Sequence, residues 1–327
     1  MKRLILTILA FILALSGVAF AEELPTIEDT ALVPSSATTG YVKDEPDQII
    51  VVQIDNEPGA RPQLGISYAD IIYEMVVYSG GYTRYTAVYN DTIPEKVEAV
   101  RSARMLNVDM YLEYGGAFVH FGGQEYEGTS VFDYFETVNM QARYDGLEHY
   151  GFFYRDDNRE APNNVVARLQ KIADDVDWAN VECTSPLRFS ETDYTAKGEP
   201  VSEFSINYRS GYAPSYEYSD GIYYRNYNNS PHKDGQTGEQ LTCSNVIVQH
   251  MEYEWFEGAS DRPLITSVGS GKCDYFIDGM HFTGYWERSD LNESTVYYDD
   301  EGCRVYFKPG KTFIQIISET EEVAIAE

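Results

Sequence analysis

Three apolar, β-rich runs lie within residues 49–89: IIVVQI at 49–54, IIYEMVVY at 71–78 and YTAVY at 85–89. Each run is short and rich in Ile, Val and Tyr, residues that are enriched in strands. A Gly80-Gly81 turn signal lies between the second run and the third. Together the runs predict neighbouring buried strands and therefore a central sheet.

Helical patterns follow these strands. Residues 102–114 predict a helix that the Gly115-Gly116 pair ends, and residues 117–121 predict a further buried strand. A second helix is predicted over residues 164–176, because apolar residues recur there on one helical face. Those residues are Val165, Leu169, Ile172 and Val176. Residues 48–180 are therefore predicted to form a mixed α/β N-terminal domain with a central sheet.

The remainder of the chain has a different pattern. Short strand-like runs recur at intervals of roughly 8 to 12 residues and are separated by Gly, Asp and Pro turn signals, which is typical of all-β folds. The runs are 204–208, 222–227, 245–251, 264–268, 273–277, 296–298, 305–307 and 313–317. They predict a mostly β C-terminal domain over residues 200–318, joined to the first domain between about 178 and 203. The predicted fold class is α+β.

Length and charge limit the classes of function. The chain has 327 residues, of which 43% are hydrophobic, so it is long enough for two globular domains with real cores. It carries 24 Lys and Arg against 53 Asp and Glu, a formal net charge of -29. A field of that sign repels phosphate backbones, and nucleic acid is therefore excluded as an expected partner.

The first residues have the pattern of an export signal. Lys2 and Arg3 precede an apolar run at 4–15, and Ala19-Phe20-Ala21 matches an A-x-A cleavage site. We expect residues 1–21 to be a signal peptide and residues 22–47 to be a flexible tether. No later apolar run is long enough to span a bilayer, so no transmembrane segment is expected after cleavage. The predicted location is extracellular or in the cell envelope.

The sequence predicts no metal and no cofactor. Gly269-Ser270-Gly271-Lys272 lacks the Gly and the Ser or Thr that a phosphate-binding loop requires. The five histidines show no zinc-ligand spacing. The four cysteines could form disulfides in any of three pairings, or they could be free thiols.

Four arginines stand out in this acidic chain because they lie among Gly, Asn and other turn residues: Arg84, Arg101, Arg104 and Arg155. A guanidinium group binds a carboxylate or phosphate through two parallel hydrogen bonds. These residues therefore predict an anion-binding site. The alternative is that each arginine pairs with one of the chain's own acidic residues.

The same segments resemble the YerB-like family of bacterial envelope proteins, which has two domains of unknown function. The motifs that carry the resemblance follow in the family's order: Val52-Gln53-Ile54-Asp55-Asn56, Ala60-Arg61-Pro62-Gln63, Ala69-Asp70-Ile71-Ile72-Tyr73-Glu74, Gly81-Tyr82-Thr83-Arg84, Val100-Arg101-Ser102-Ala103-Arg104, His120-Phe121-Gly122-Gly123, Phe153-Tyr154-Arg155-Asp156, Ala161-Pro162-Asn163-Asn164, then Tyr224-Arg225, His232, Asp234, Asn245-Val246-Ile247-Val248, Gly269-Ser270-Gly271, Trp286 and Pro309-Gly310. They span about residues 48–318. The resemblance implies a two-domain architecture and an envelope location, and it implies no reaction.

Two features depart from the family's pattern. Its members are typically lipoproteins, whereas no Cys follows the predicted cleavage site here. Asn163 also stands where the family's pattern has a histidine.

We expect a binding module for an anionic or polyhydroxyl envelope ligand, such as a wall glycan or a peptide carboxylate, and we favour binding over catalysis. The expected ligand-binding residues are Asn56, Arg84, Arg101, Arg104, His120, Arg155, Asp156 and Asn164. One alternative is an envelope hydrolase in which His120, Asp55, Asp156 or Glu74 acts as acid or base. Another is a scaffold that docks a protein partner through Tyr-rich strands.

Overall fold

A computed structural model of the chain describes residues 34–126, 129–208, 212–255 and 262–326. The predicted signal peptide at 1–21 and the first part of the predicted tether, 22–33, lie outside the described residues. Strands account for 42% of the structure and helices for 10%. The protein is therefore mostly β, with less helix than the expected α+β class implies.

The described elements are short helices and many strands. The strands are β1 Ile50–Asp55, β2 Ile71–Val76, β3 Thr83–Tyr89, β4 Val97–Glu98, β5 Ala117–His120, β6 Glu125–Tyr126, β7 Thr129–Ser130, β8 Ala142–Asp145, β9 Phe153–Arg155, β10 Val165–Ala167, β11 Glu199–Pro200, β12 Glu203–Ile206, β13 Pro214–Ser219, β14 Ile222–Tyr227, β15 Ser230–Pro231, β16 Thr242–Cys243, β17 Asn245–Met251, β18 Tyr253–Trp255, β19 Pro263–Ile265, β20 Gly269–Ile277, β21 Met280–Arg288, β22 Val296–Asp299, β23 Thr312–Ser318 and β24 Val323–Ile325. The α-helices are α1 Met105–Leu112, α2 Val131–Phe135 and α3 Leu169–Asp175, and single 3-10 turns occur at Pro58–Ala60, Ile66–Tyr68 and Trp178–Asn180.

One large sheet contains strands from both halves of the sequence. Its order is β11-β21-β20-β17-β23-β2-β3-β1-β5-β8, with β22 paired to β21. Strand β23 lies between β17 and β2 and runs parallel to both, with Thr312 opposite Asn245 and Ile71. A strand in that position is covered on both faces, which explains the nearly continuous apolar sequence of β23.

Hydrophobic cores cover both faces of this central sheet. On one face, the six-stranded sheet β15-β14-β13-β12-β24, with β16 paired to β14, packs its aromatic side chains against the central strands. The rings of Phe204 and Phe276 stack there with their centroids 3.5 Å apart. The other face is covered partly by α1, which buries Leu106, Val108 and Met110. The large apolar area that these layers remove from water is the main stabilising contribution to such a fold.

The two predicted helices are shorter in the structure. Residues 101–104 are extended rather than helical, because the Arg101 amide donates to the Gln53 carbonyl and Ala103 pairs with Gly123. The start of the predicted 164–176 helix is instead strand β10, which pairs with β4 and β9. Pairing on both sides outweighs the helical spacing of the apolar residues in this segment.

Most of the predicted strands are present. The longest strands that the sequence analysis missed are β13 and β21. In β21 the buried and partly exposed residues alternate from Met280 to Trp286, so this strand lacks the continuous apolar run that is typical of a strand buried on both faces. The strand predicted at 305–307 is absent from the structure. Phe307 makes only an isolated bridge to Phe189.

Residues 35–47 differ from the expected tether. Ser36, Thr38 and Thr39 are buried, and the Thr38 hydroxyl donates to Asp70 Oδ2 at 2.9 Å. Asn90 Nδ2 also donates to Asp47 Oδ1 at 2.6 Å. The ordered fold therefore begins before residue 48, because these polar side chains find buried partners on the body of the protein.

Candidate functional site

One edge of the central sheet collects several of the predicted site residues. Strands β1 and β5 are parallel, so their carboxyl ends, Asp55 and His120, lie at the same edge. Arg84 lies opposite Asp55 in the antiparallel pair β1 and β3. Arg104 immediately precedes α1. Ligands of sheet proteins often bind outside the carboxyl ends of parallel strands.

Asp55 is the acidic centre of this edge. Its carboxylate is buried, with Oδ2 lying 2.7 Å from Arg101 Nε and Oδ1 lying 4.0 Å from Arg84 Nε. Oδ1 also accepts hydrogen bonds from the backbone amides of Asn56 at 2.9 Å and Glu57 at 3.3 Å. Asp55 thus neutralises part of the positive charge that the arginines bring to the edge.

Arg104 has no such partner in the part of the chain that the structure describes. It is 9% exposed, and its Nε is a buried donor without an acceptor. Its Nη1 donates only to the neighbouring Ala103 carbonyl, at 3.3 Å. Among the described residues, no carboxylate lies within 4.0 Å of its guanidinium. Burial, and then the positive charge of Arg84, hold the pKa of Arg104 well below its usual range.

Arg262 adds a further positive charge that the sequence analysis did not predict. Its charge acts on Arg104, and its guanidinium lies 5.4 Å from the centre of the Tyr78 ring. Although burial raises the pKa of Tyr78, the charges of Arg84, Arg104 and Arg262 together lower it. We define Arg84, Arg101, Arg104 and Arg262 as the arginine cluster. No local pattern marks Arg262, because only the tertiary fold brings it to this edge.

A small cleft opens beside the arginine cluster, with a volume of about 30 Å³, which is room for about one or two water molecules. Arg104 and Arg262 contribute its charged lining, and Gln124 and Thr129 contribute uncharged polar side chains. The remaining lining residues are Met75, Val76, Val77, Met105, Leu106, Pro263, Leu264 and Ile265. The first-turn amides of α1 lie at the same place, and such amides favour anions.

Asn56 is held in a different environment. Its Nδ2 donates to Glu74 Oε1 at 3.0 Å and to Thr83 Oγ1 at 2.8 Å, while its Oδ1 accepts from Gln63 at 3.2 Å. It lines a separate cleft with Arg61. The structure thus brings Arg84, Arg101 and Arg104 together, whereas the side chain of Asn56 lines the other cleft.

Arg155, Asp156 and Asn164 form a second group. Arg155 Nη1 donates to Asn164 Oδ1 at 2.7 Å, and its guanidinium lies 5.1 Å from the centre of the Phe121 ring. Asp156 Oδ1 accepts from the amide of Asn158 at 2.8 Å, which is an ordinary turn contact. Arg155 therefore contacts Asn164 and Phe121 rather than Asp55.

His120 is fully buried. One of its ring nitrogens, Nδ1, lies 2.8 Å from the Gly122 carbonyl oxygen, and Nε2 lies 3.4 Å from Arg143 Nη1. Burial lowers the pKa of His120 to about 4, despite the opposing charge of Asp145. The imidazole is therefore neutral at physiological pH and has no access to a ligand in solvent.

We expect the His120 ring resonances to stay unchanged between pH 8 and 5, because the folded protein keeps this imidazole neutral until about pH 4. The measurement is a pH titration followed by ring-carbon NMR, with His120→Gln used to assign the signal. His149 is the internal comparison, since it is only partly buried. A His120 midpoint near 6.5 would show that the ring is solvated.

The acid or base candidate Glu74 belongs to a buried polar network that joins the two halves of the chain. Arg225 Nη2 donates to Glu74 Oε2 at 2.6 Å, and both side chains are 0% exposed. Arg225 Nε donates to His232 Nδ1 at 3.2 Å, and His232 Nε2 lies 3.1 Å from Gln63 Oε1. We define Glu74, Arg225, His232 and Gln63 as the interhalf network.

Asp234 supports the same junction between the halves. Its carboxylate accepts hydrogen bonds from the backbone amides of Gly65 at 3.2 Å and Ser67 at 2.7 Å. His232 and Asp234 therefore act as structural links. The sequence analysis did not identify this role.

The four cysteines are free thiols in the structure. Cys243 and Cys273 are buried, Cys183 is partly buried and Cys303 is exposed. Burial raises the pKa of Cys243 to about 12, so its thiol stays protonated. Within the described ranges, Asp299, Glu301 and Cys303 place possible ligand atoms within 4.8 Å of one another. Asp299 is buried and pairs with Lys197, whereas Glu301 and Cys303 are exposed, and exposed acidic groups are common without a metal.

Comparisons with known proteins identify relatives of both halves. Residues 38–182 match the model of the "Protein of unknown function (DUF3048) N-terminal domain", and residues 204–314 match its C-terminal domain. The chain is 26% identical over 320 residues to a Bacillus subtilis protein described as "Putative lipoprotein YerB", covering 92% of this chain and 91% of that protein.

The fold is also similar to that of a solved structure. This chain matches the crystal structure of YerB protein from Bacillus subtilis with a TM-score of 0.77 and 25% sequence identity. The match covers 90% of this chain and 100% of that one. Within the ranges that the structure describes, no helix combines the length and apolarity needed to cross a membrane. This chain belongs to the YerB-like family, whose two domains have no assigned function.

Proposed function

We propose that this protein is an envelope binding module whose arginine cluster takes the anionic group of a ligand such as a wall glycan or a peptide carboxylate. The observation that carries this proposal is the burial of Arg104 with no carboxylate partner among the residues that the structure describes. A buried, unpaired cation costs free energy, and an anion that pairs with it would offset that cost.

The distribution of charge supports the same conclusion. The chain carries a net charge of -29, with 53 acidic residues available as partners. Even so, Arg84, Arg101 and Arg262 raise the positive potential around Arg104 and oppose its protonation. A site of this kind concentrates anions locally against the field of the whole protein.

An envelope location fits this ligand class. The Bacillus subtilis relative is described as a lipoprotein, and residues 1–21 of this chain have the pattern of an export signal. A cleaved export signal would release the mature protein where wall glycans and wall peptides occur.

The test is retention of the purified protein on isolated cell-wall material, together with calorimetric titration by inorganic phosphate. We expect Arg104→Gln to weaken both by about 30-fold or more, since one contact to a desolvated charge is worth roughly 2–5 kcal/mol. The matched control is Arg304→Gln, because Arg304 is an exposed arginine outside the arginine cluster. Equal losses in both variants would show that binding depends only on overall charge. Unchanged binding in Arg104→Gln would overturn the proposal.

A further inference from the structure

A groove lies where residues from the two halves of the chain meet. It consists of two adjoining clefts with volumes of about 200 Å³ and about 250 Å³. At about 30 Å³ per molecule of liquid water, each cleft has room for roughly six water molecules or more. Arg61 and Tyr227 line both clefts, whereas Tyr82 and Asn228 line the first and Lys233 lines the second. We define the two clefts together as the junction groove.

Arg61 lies at the centre of the junction groove with its guanidinium plane fixed. Its Nη2 donates to the Tyr227 hydroxyl at 2.6 Å, and its Nη1 donates to Asn56 Oδ1 at 3.3 Å. Its guanidinium carbon also lies 3.6 Å from the centre of the Tyr227 ring. Among the described residues, these contacts use two of the five N–H donors of the guanidinium. The other donors remain for a ligand.

The junction groove carries two positive charges that have no acidic partner in the described part of the chain. Arg61 is half-buried and Lys233 is exposed. The chain has 53 Asp and Glu, yet no carboxylate of a described residue lies within 4.0 Å of either cation. Two such cations along one groove favour an anionic ligand over a neutral one.

Tyr82 gives the first cleft an exposed aromatic surface. Its side chain is 47% exposed and lies in the turn between β2 and β3. A tyrosine ring has an apolar face and a polar hydroxyl, so it packs against the C–H face of a sugar ring and leaves the sugar hydroxyls in contact with water or polar groups. Asn228 lines the same cleft, and its side-chain amide can bind such hydroxyls.

We propose that the junction groove binds an acidic oligosaccharide, with one sugar ring on Tyr82, a carboxylate at Arg61 and the next sugar unit in the second cleft near Lys233. Two adjoining clefts fit a chain of linked units better than a single small anion. This site goes beyond the proposed function because it is separate from the arginine cluster. Thr83 lines the groove and directly precedes Arg84 in β3, and successive side chains of a strand point to opposite faces of the sheet.

The test is a calorimetric titration of the purified protein with trigalacturonic acid and with its methyl ester, which has the same rings without the charges. We expect the acid to bind at least tenfold more tightly, because only the acid offers a carboxylate to Arg61. Arg61→Gln should remove this preference and leave the ester affinity unchanged. Arg304→Gln is the matched control and should keep the preference, since Arg304 is exposed and lines neither cleft.

The outcomes also separate this site from the arginine cluster. Binding of the acid that is lost in Arg104→Gln and kept in Arg61→Gln would overturn this inference and support the proposed function. Failure of the wild type to bind either sugar would overturn this inference alone, because the proposed function is tested with phosphate and cell-wall material.

A variant of the aromatic surface tests the position of the sugar ring. Tyr82→Ala should weaken binding of the acid and of the ester by about tenfold each, because the ring packs against the sugar whatever its charge. Tyr82→Phe should retain both affinities. Tyr150→Ala is the matched control, since Tyr150 is 77% exposed and lines neither cleft. Unchanged binding of both sugars by Tyr82→Ala would contradict the proposed position of the ring.

Discussion

Replacing Arg225 by alanine should lower the free energy of unfolding by about 3–5 kcal/mol, as expected when one partner of a buried ion pair is removed. Glu74 would remain 0% exposed with hydrogen bonds from Asn56 and Thr83 but without its cation. The hydroxyl of Tyr216 would also lose its contact with Arg225. The measurement is chemical denaturation of the wild type and Arg225→Ala, monitored by tryptophan fluorescence.

The control removes both charges. Glu74→Gln combined with Arg225→Met should restore much of the lost stability, because neither side chain then carries a buried charge. Arg304→Ala should change stability by less than about 0.5 kcal/mol, since Arg304 is exposed. A loss below about 1 kcal/mol in Arg225→Ala would show that the interhalf network does not stabilise the fold.

Replacing Arg104 by methionine should weaken anion binding and stabilise the unliganded protein at the same time. The free energy of anion binding should become less favourable by roughly 2–5 kcal/mol, because the site loses its buried cation. Without ligand, the free energy of unfolding should rise by about 1–4 kcal/mol, since a buried charge is replaced by an apolar side chain of similar length. Paired calorimetry and denaturation on the same sample give both values.

The opposite signs of these two effects distinguish a binding site from a structural ion pair. A structural arginine would reduce stability when it is lost, and binding would fall only as the protein unfolds. Arg304→Met is the matched control and should change neither quantity, because its side chain is exposed. A less stable Arg104→Met variant would contradict our interpretation of the cluster.

The sequence predicted the local features of this edge better than its tertiary arrangement. The apolar runs of β1, β2 and β3 were recognised because buried strands have continuous hydrophobic sequences. The sequence analysis singled out Arg84, Arg101, Arg104 and Arg155 for one anion-binding site. The structure brings the first three together and places Arg155 against Asn164 and Phe121. Arg262 could not be predicted, because it precedes β19 of a separate two-stranded sheet and only the tertiary fold brings it near Arg104.

Two other differences have specific physical causes. Val165 and the apolar residues after it have helical spacing, yet the pairing of β10 with β4 and β9 makes its first residues a strand. The interhalf network was not predicted, because Glu74 and Arg225 each lie in a strand whose local sequence does not indicate a distant partner. The local periodicity of a sequence does not predict which distant residue a side chain will contact.

The insertion of β23 between β17 and β2 gives the fold a high contact order. Residues 71–76 cannot acquire one of their two strand neighbours until residues 312–318 have been synthesised. Until then, one edge of β2 exposes unpaired backbone groups that could recruit a strand from another chain. Because β23 pairs with β2, we expect the two family domains to unfold together, and we expect closure of the long loop between these two strands to slow folding. A fragment that ends after the first domain would be left with an open sheet edge prone to aggregation.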